Sequence, residues 1–260
     1  EITGDDNDNT LTGTSGGDLI IGKDGNDVIN GGDGDDVIDP GNSNSKDKII
    51  GSKGDDLIVV SDLTTGFLEM TYGNMGSGVT IDANLVNNTA SVNKGMSGTD
   101  TIVDIVVPGN GNGAAGFTGS DHADTFNITT KGWNGNDPGS WILLAGGLGA
   151  DVFNLNVAQY STIRITFRYD ANGNGPTQGA NVNLKTQTIT NDGYGFSDTL
   201  MLNGSLGKIE LEGTVHDDTF IGSDNDDGFI LERGNDSVDG GLGSDDIRYD
   251  RSGVTAVSVD

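Results

Sequence analysis

The sequence predicts an all-β fold, a coiled stack of short parallel strands interrupted by longer β-strand modules. Three observations predict it. A nine-residue unit recurs in tandem, apolar residues make up only 33% of the chain, and helix signals are nearly absent. An ordinary globular domain carries about 45–50% apolar residues, so a thick core is not expected here.

The unit is clearest from Gly4, in the blocks GDDNDNTLT, GTSGGDLII, GKDGNDVIN and GGDGDDVID. After Pro40-Gly41 the frame resumes as NSNSKDKII and GSKGDDLIV. The sixth position holds Asn9, Asp18, Asp27, Asp36, Asp47 and Asp56; the eighth holds Leu11, Ile20, Ile29, Ile38, Ile49 and Ile58. The block returns from Gly119 (GSDHADTFN) and from Gly146 (GGLGADVFN), and then four times in a row from Gly213. These later copies place Asp124, Asp151, Asp218, Asp227, Asp236 and Asp245 at the sixth position. A degenerate turn, GWNGND, spans residues 132–137.

Each block divides into a turn and a strand. Glycines in the first six residues permit positive φ and close backbone approach. The last three residues alternate so that one apolar side chain points inward. Two blocks make one coil, with a turn on each side and a thin apolar layer between. A single unit cannot bury its apolar residue alone, and stacking supplies the core. Stacking also gathers backbone carbonyls and Asp carboxylates from successive turns. Such an oxygen-only set suits calcium, which accepts six to eight ligands and irregular geometry, better than magnesium.

Charge and composition exclude several functions. Of 40 acidic residues 35 are Asp, the residue suited to turns, and the formal charge of −27 opposes phosphate contacts with nucleic acid. Cysteine is absent, and no apolar run reaches the roughly 18 residues of a membrane helix. His122 and His216, both at the fourth position of a block, lack a third nitrogen ligand for zinc. Two histidines and no cysteine leave little material for nucleophilic catalysis, so no enzyme is expected. The chain opens at Glu1 without Met or a signal-like segment and reads as part of a larger chain.

The pattern G-G-x-G-x-D-x-U-x, with U a large apolar residue, resembles the RTX or haemolysin-type calcium-binding repeat of bacterial secreted and surface proteins. The resemblance implies a right-handed parallel β-roll holding several Ca²⁺ ions between the turns of every second repeat. Carried over by position, it pairs Asp18 with Asp36, Asp27 with Asp47, Asp36 with Asp56, Asp124 with Asp151, Asp218 with Asp236, and Asp227 with Asp245. The remaining ligands it implies are turn positions at Gly13, Ser15, Gly22, Asp24, Gly31, Gly32, Asp33, Gly34, Gly146, Leu148, Gly222, Asp224, Gly240 and Leu242. Asn9 is neutral, and the turn from Asn42 to Asp47 lacks glycine and carries Lys46. The Asn9/Asp27 and Asp27/Asp47 sites are therefore expected to be the weak ones. The resemblance also implies an extracellular or cell-surface location, type I secretion of an unfolded chain, and folding on calcium.

Five segments are expected: a roll over 1–59, a β-module over 60–118, a short repeat segment over 119–154, a second module over 155–212, and a final roll over 213–260. The two modules resemble each other. Tyr72, Gly78-Val79-Thr80-Ile81-Asp82 and Gly98-Thr99-Asp100-Thr101-Ile102 are echoed by Tyr169, Ala180-Asn181-Val182-Asn183-Leu184 and Ser197-Asp198-Thr199-Leu200. A third copy starts at Tyr249 and continues through Gly253 to Asp260. Trp133, Trp141, Tyr160 and Tyr169 fall around the centre. Stacking on sugar rings is the alternative they raise, as a polysaccharide-binding or adhesin module or an accessory region of a polysaccharide-modifying enzyme.

Overall fold

A computed structural model describes residues 1–42, 46–60, 63, 66–107, 114–132, 139–204, 207–251 and 253–254. The degenerate turn beyond Gly132, Trp133 and the third module copy from residue 255 lie outside these.

The described residues form two facing β-sheets and no α-helix. The small sheet has ten strands, all parallel. They are Thr10–Thr12, Val28–Asn30, Lys46–Ile50, Phe67–Thr71, Ala114–Thr118, Trp141–Ala145, Thr162–Thr166, Lys208–Glu212, Asp227–Ile230 and Asp246–Arg248. The large sheet has fourteen, and within the repeats its strands alternate along the chain with those of the small one. One nonapeptide thus supplies one strand, and two supply a coil. The array is a parallel β-roll.

Register follows the eighth position. Ile20 pairs with Ile38, Ile38 with Ile58, and Ile29 with Ile49. These isoleucines are essentially inaccessible to solvent and form one apolar layer with Leu68, Phe117, Phe126, Phe153, Phe220 and Phe229. Phe126 and Phe153, neighbours in the large sheet, stack at 4.9 Å and 11°. The thin core expected from composition is thereby made continuous, with aromatic rings filling its middle and C-terminal part.

The two modules do more than widen the roll. Thr80–Asn84, Thr89–Asn93 and Thr99–Val103 form an antiparallel meander inside the large sheet. Its last strand pairs in parallel with Leu57–Val59 and its first with Thr125–Thr129, so the meander is laid in backwards. Ala180–Asn183, Thr188–Asp192 and Asp198–Asn203 repeat this arrangement between Val152–Asn156 and Thr219–Ile221. Each meander adds two strands beyond what alternation requires. At about 4.8 Å per strand, the large sheet gains about 19 Å that a straight two-sheet stack cannot absorb.

The middle of the small sheet is covered on its outer face as well. Ala114–Thr118 is buried throughout. Arg164 pairs with Glu210 at 2.8 Å on this face, and Ala171 lies against Gly73 and Thr71.

Candidate metal centre

The turns stack as two columns, one along each edge of the roll, and the sixth-position Asp links each turn to its neighbour. The Asp36 Oδ1 accepts a hydrogen bond from the backbone N–H of Asp18 at 2.8 Å. Asp47 accepts from Asp27 at 2.9 Å, Asp56 from Asp36 at 3.1 Å, and Asp151 from Asp124 at 2.9 Å. Asp236 accepts from Asp218 and Asp245 from Asp227, each at 3.0 Å. Every pair expected from the sequence is thus brought together across adjacent coils. The ladder runs further than the nonapeptides do. Asp198 accepts from the Asp151 N–H at 2.9 Å, Asp124 from Val79 at 2.6 Å, and Asp218 from Ala180 at 2.7 Å.

Fixing one carboxylate oxygen leaves the other directed at the turn it belongs to. Its fate depends on the second residue of the block. Thr14, Ser120, Thr214 and Ser223 each donate both backbone N–H and hydroxyl to the Asp of their own turn. Lys23, Gly32 and Gly147 occupy that place in three other blocks and offer no hydroxyl. In those three turns Oδ2 of Asp27, Asp36 and Asp151 is buried without a hydrogen-bond partner. A buried carboxylate oxygen left in this state is costly, and a cation removes the cost.

The rest of each turn supplies carbonyl oxygen. Gly22 packs so tightly that a Cβ there would stand 2.3 Å from the Pro40 carbonyl and 2.6 Å from Asp27 Oδ2. At Gly31 it would stand 2.1 Å from Asp36 Oδ2. At Gly22 the absent side chain leaves a cradle of one carboxylate and one carbonyl from the next coil; at Gly31 it leaves one carboxylate and the Ser52 hydroxyl. Gly222 is built in the same way as Gly22, with the Gly240 carbonyl and Asp227 Oδ2 around it. No three His, Cys, Asp or Glu side chains converge on one point among the described residues. A metal here would rest on two carboxylates completed by carbonyls, which is an oxygen-only set.

Electrostatics bear the same mark. Burial pushes the carboxyls of Asp36, Asp124 and Asp218 up to about 6. Burial pushes Asp198 to about 7 and Asp151 to about 9, with neighbouring carboxylates adding to the rise. Asp27, Asp227 and Asp236 are raised for the same first reason. Half-buried Asp18, hydrogen-bonded by Thr14, is lowered.

These columns have the order that the sequence pattern describes, and comparison with known proteins agrees. A family model described as the RTX calcium-binding nonapeptide repeat (4 copies) matches residues 3–38, 12–45 and 212–247. The chain carries RTX calcium-binding repeats. The RTX match covers the C-terminal tandem run and the N-terminal one as far as residue 45, and leaves both meanders outside it. No curated protein matches the chain. Among the described residues no helix is long and apolar enough to cross a membrane.

Beyond the RTX pattern, the structure corrects and extends the sequence reading. The turn before Asp47 begins at Pro40 rather than Asn42. A Cβ on Gly41, at φ +100°, would stand 1.8 Å from the Lys23 carbonyl, and Asn42 N–H donates to that carbonyl at 3.0 Å. The turn therefore has a glycine after all, Gly41. The sequence reading also left out a second ladder, in which fifth-position side chains accept from backbone N–H groups one coil on. Asp8 accepts from Asn26, Asp35 from Asp55, and Asp217 from Asn235, each at 2.9 Å. The recurring fifth-position Asp and Asn are the sequence signal for this ladder. His122 is exposed, and His216 Nε2 meets the Pro176 carbonyl at 3.1 Å. Trp141 lies beneath the Arg164 guanidinium at 4.7 Å, Tyr169 is half-buried, and Tyr160 is exposed.

Proposed function

We propose that the chain is a non-catalytic calcium-binding module that orders itself on calcium binding outside the cell, as a stabilising part of a larger secreted or surface protein. The observation that carries this is the set of partnerless buried oxygens on Asp27, Asp36 and Asp151, each packed against the leading glycine of its own turn, with the Pro40 carbonyl of the next coil beside that of Asp27. Bound calcium would supply positive charge and coordination positions for such oxygens.

The chain's own residues do the rest. The N–H of each sixth-position Asp orients the carboxylate of the next coil, and glycines let carbonyls approach it. The Ile and Phe layer joins coils only when the turns are closed. With a net charge of −27, closure without cations sets like charges against each other in buried columns. Metal binding and folding are therefore one equilibrium. Extracellular modules bind calcium in the range of about 10⁻⁴–10⁻³ M, which would keep the chain open in a calcium-poor cytosol and closed outside. RTX repeats typify secreted bacterial proteins, which supports that location.

Isothermal titration with calcium and, separately, magnesium tests the assignment. Calcium is expected to bind at several sites with heat from coupled folding, and magnesium weakly. Equal binding of both ions, or none of either, would reject it.

A further inference from the structure

One inter-turn site already contains a cation. Lys94, between Thr89–Asn93 and the 3-10 turn Gly95–Ser97, has a side chain with no solvent exposure. Its Nζ donates to the Ser52 carbonyl at 2.6 Å, to Asp56 Oδ2 at 3.1 Å, and to Asp100 Oδ1. An ammonium has three donors, and all three are used.

The place is equivalent to the metal cradles. Gly98-Thr99-Asp100 stacks in register on Gly54-Asp55-Asp56. Gly54 N–H donates to the Ser97 carbonyl at 2.8 Å, Thr99 N–H to Asp55 Oδ1 at 2.7 Å, and Thr101 N–H to the Asp56 carbonyl at 2.8 Å. Asp56 is the sixth residue of the last N-terminal block, and Asp100 stands where the next coil's sixth-position Asp would be. The acceptors around Nζ are thus two stacked carboxylates and one turn carbonyl.

The second meander provides the contrast. There Asp198 stacks on Asp151 as Asp100 stacks on Asp56, and no lysine enters. Buried Asp192 ends the strand that corresponds to Thr89–Asn93, its Oδ2 lacks a partner, and with Asp198, Gly146 and Gly147 it lines a small cavity. One junction carries its own positive charge; the other adds a negative one.

We infer that the Lys94 ammonium is a tethered substitute for a divalent cation, closing the Asp56/Asp100 site without metal and ending the N-terminal calcium column there. This rests on the calcium reading of the neighbouring turns and adds a site deliberately withheld from calcium. It also makes that site latent, since removing the side chain uncovers a calcium cradle.

The test counts calcium ions bound per full-length chain by equilibrium dialysis in about 10 mM calcium, roughly tenfold above extracellular-type dissociation constants. Lys94→Ala is expected to bind one ion more than the wild type and to need more calcium to fold. Adding Asp100→Asn to Lys94→Ala should remove the extra ion. An unchanged ion count in folded Lys94→Ala overturns the inference, and so does a Lys94→Ala chain that stays unfolded at this calcium concentration. A wild-type chain that binds no calcium instead rejects the calcium reading itself.

Discussion

Asp151→Asn should change stability in opposite directions with and without calcium. Asp151 is 1% exposed; its Oδ1 accepts from Asp124 N–H, and its Oδ2 has no partner. Burial, with Asp198, Asp124 and Asp192 nearby, lifts its carboxyl to about 9 from an ordinary 3.8. In the metal-free fold the group therefore holds a proton at pH 7 that the unfolded chain has released. A group raised in this way favours the fold fully below pH 3.8, and that contribution is lost as pH rises towards 9. With about 1.4 kcal/mol per pH unit over about three units, the cost at pH 7 is on the order of 4 kcal/mol. Asparagine keeps the Oδ1 acceptor and the shape but needs no proton. In chelator, with sucrose to bring the folded state into range, the variant should withstand more urea than the wild type at pH 7. Its stability should also fall less steeply between pH 4 and 9. In calcium the order should reverse, because a charged ligand is gone. Equal destabilisation in both media would refute the reasoning.

Two further outcomes follow from packing. Gly31→Ala would place a methyl 2.1 Å from Asp36 Oδ2, and the overpacking should cost about 1–3 kcal/mol in urea unfolding with calcium present. Phe126→Ala removes a fully buried ring stacked on Phe153 and should cost about 3–5 kcal/mol in the same assay, without changing the number of calcium ions bound.

The repeat made much of this architecture legible. Aspartate at position six and a large apolar residue at position eight, recurring every nine residues, dictate stacked turns and a one-residue-thick core. The positions of Asp18 and Asp36 along one edge follow from that spacing alone, and Asp56 joins them once the two extra residues after Asp39 are allowed for. The meanders were legible only as strands. Val79/Ile81 and Val182/Leu184 show period-two alternation, but alternation says nothing about pairing order, and the reversed insertion depends on contacts some 45 residues apart, such as Asp124 with Val79. Asp100 and Asp198 were visible in Gly98-Thr99-Asp100-Thr101-Ile102 and Ser197-Asp198-Thr199-Leu200, which preserve the second half of a block. Their first halves are absent, because meander turns replace them. Lys94 carried no local signal: its role comes from a turn 42 residues earlier, at Ser52. The second-position rule was fully written in the sequence as Thr14, Ser120, Thr214 and Ser223 against Lys23, Gly32 and Gly147. It became readable only once Asp Oδ1 was seen to be engaged elsewhere.

The central claim is that cations complete the carboxylate columns and so complete the fold. Far-UV circular dichroism of the full chain, followed through a calcium titration from excess chelator, tests it most directly. A β-signal that is weak in chelator and grows cooperatively with calcium, returning to its start when chelator is restored, is the predicted result. A full β-signal in excess chelator, unchanged by calcium, would contradict it.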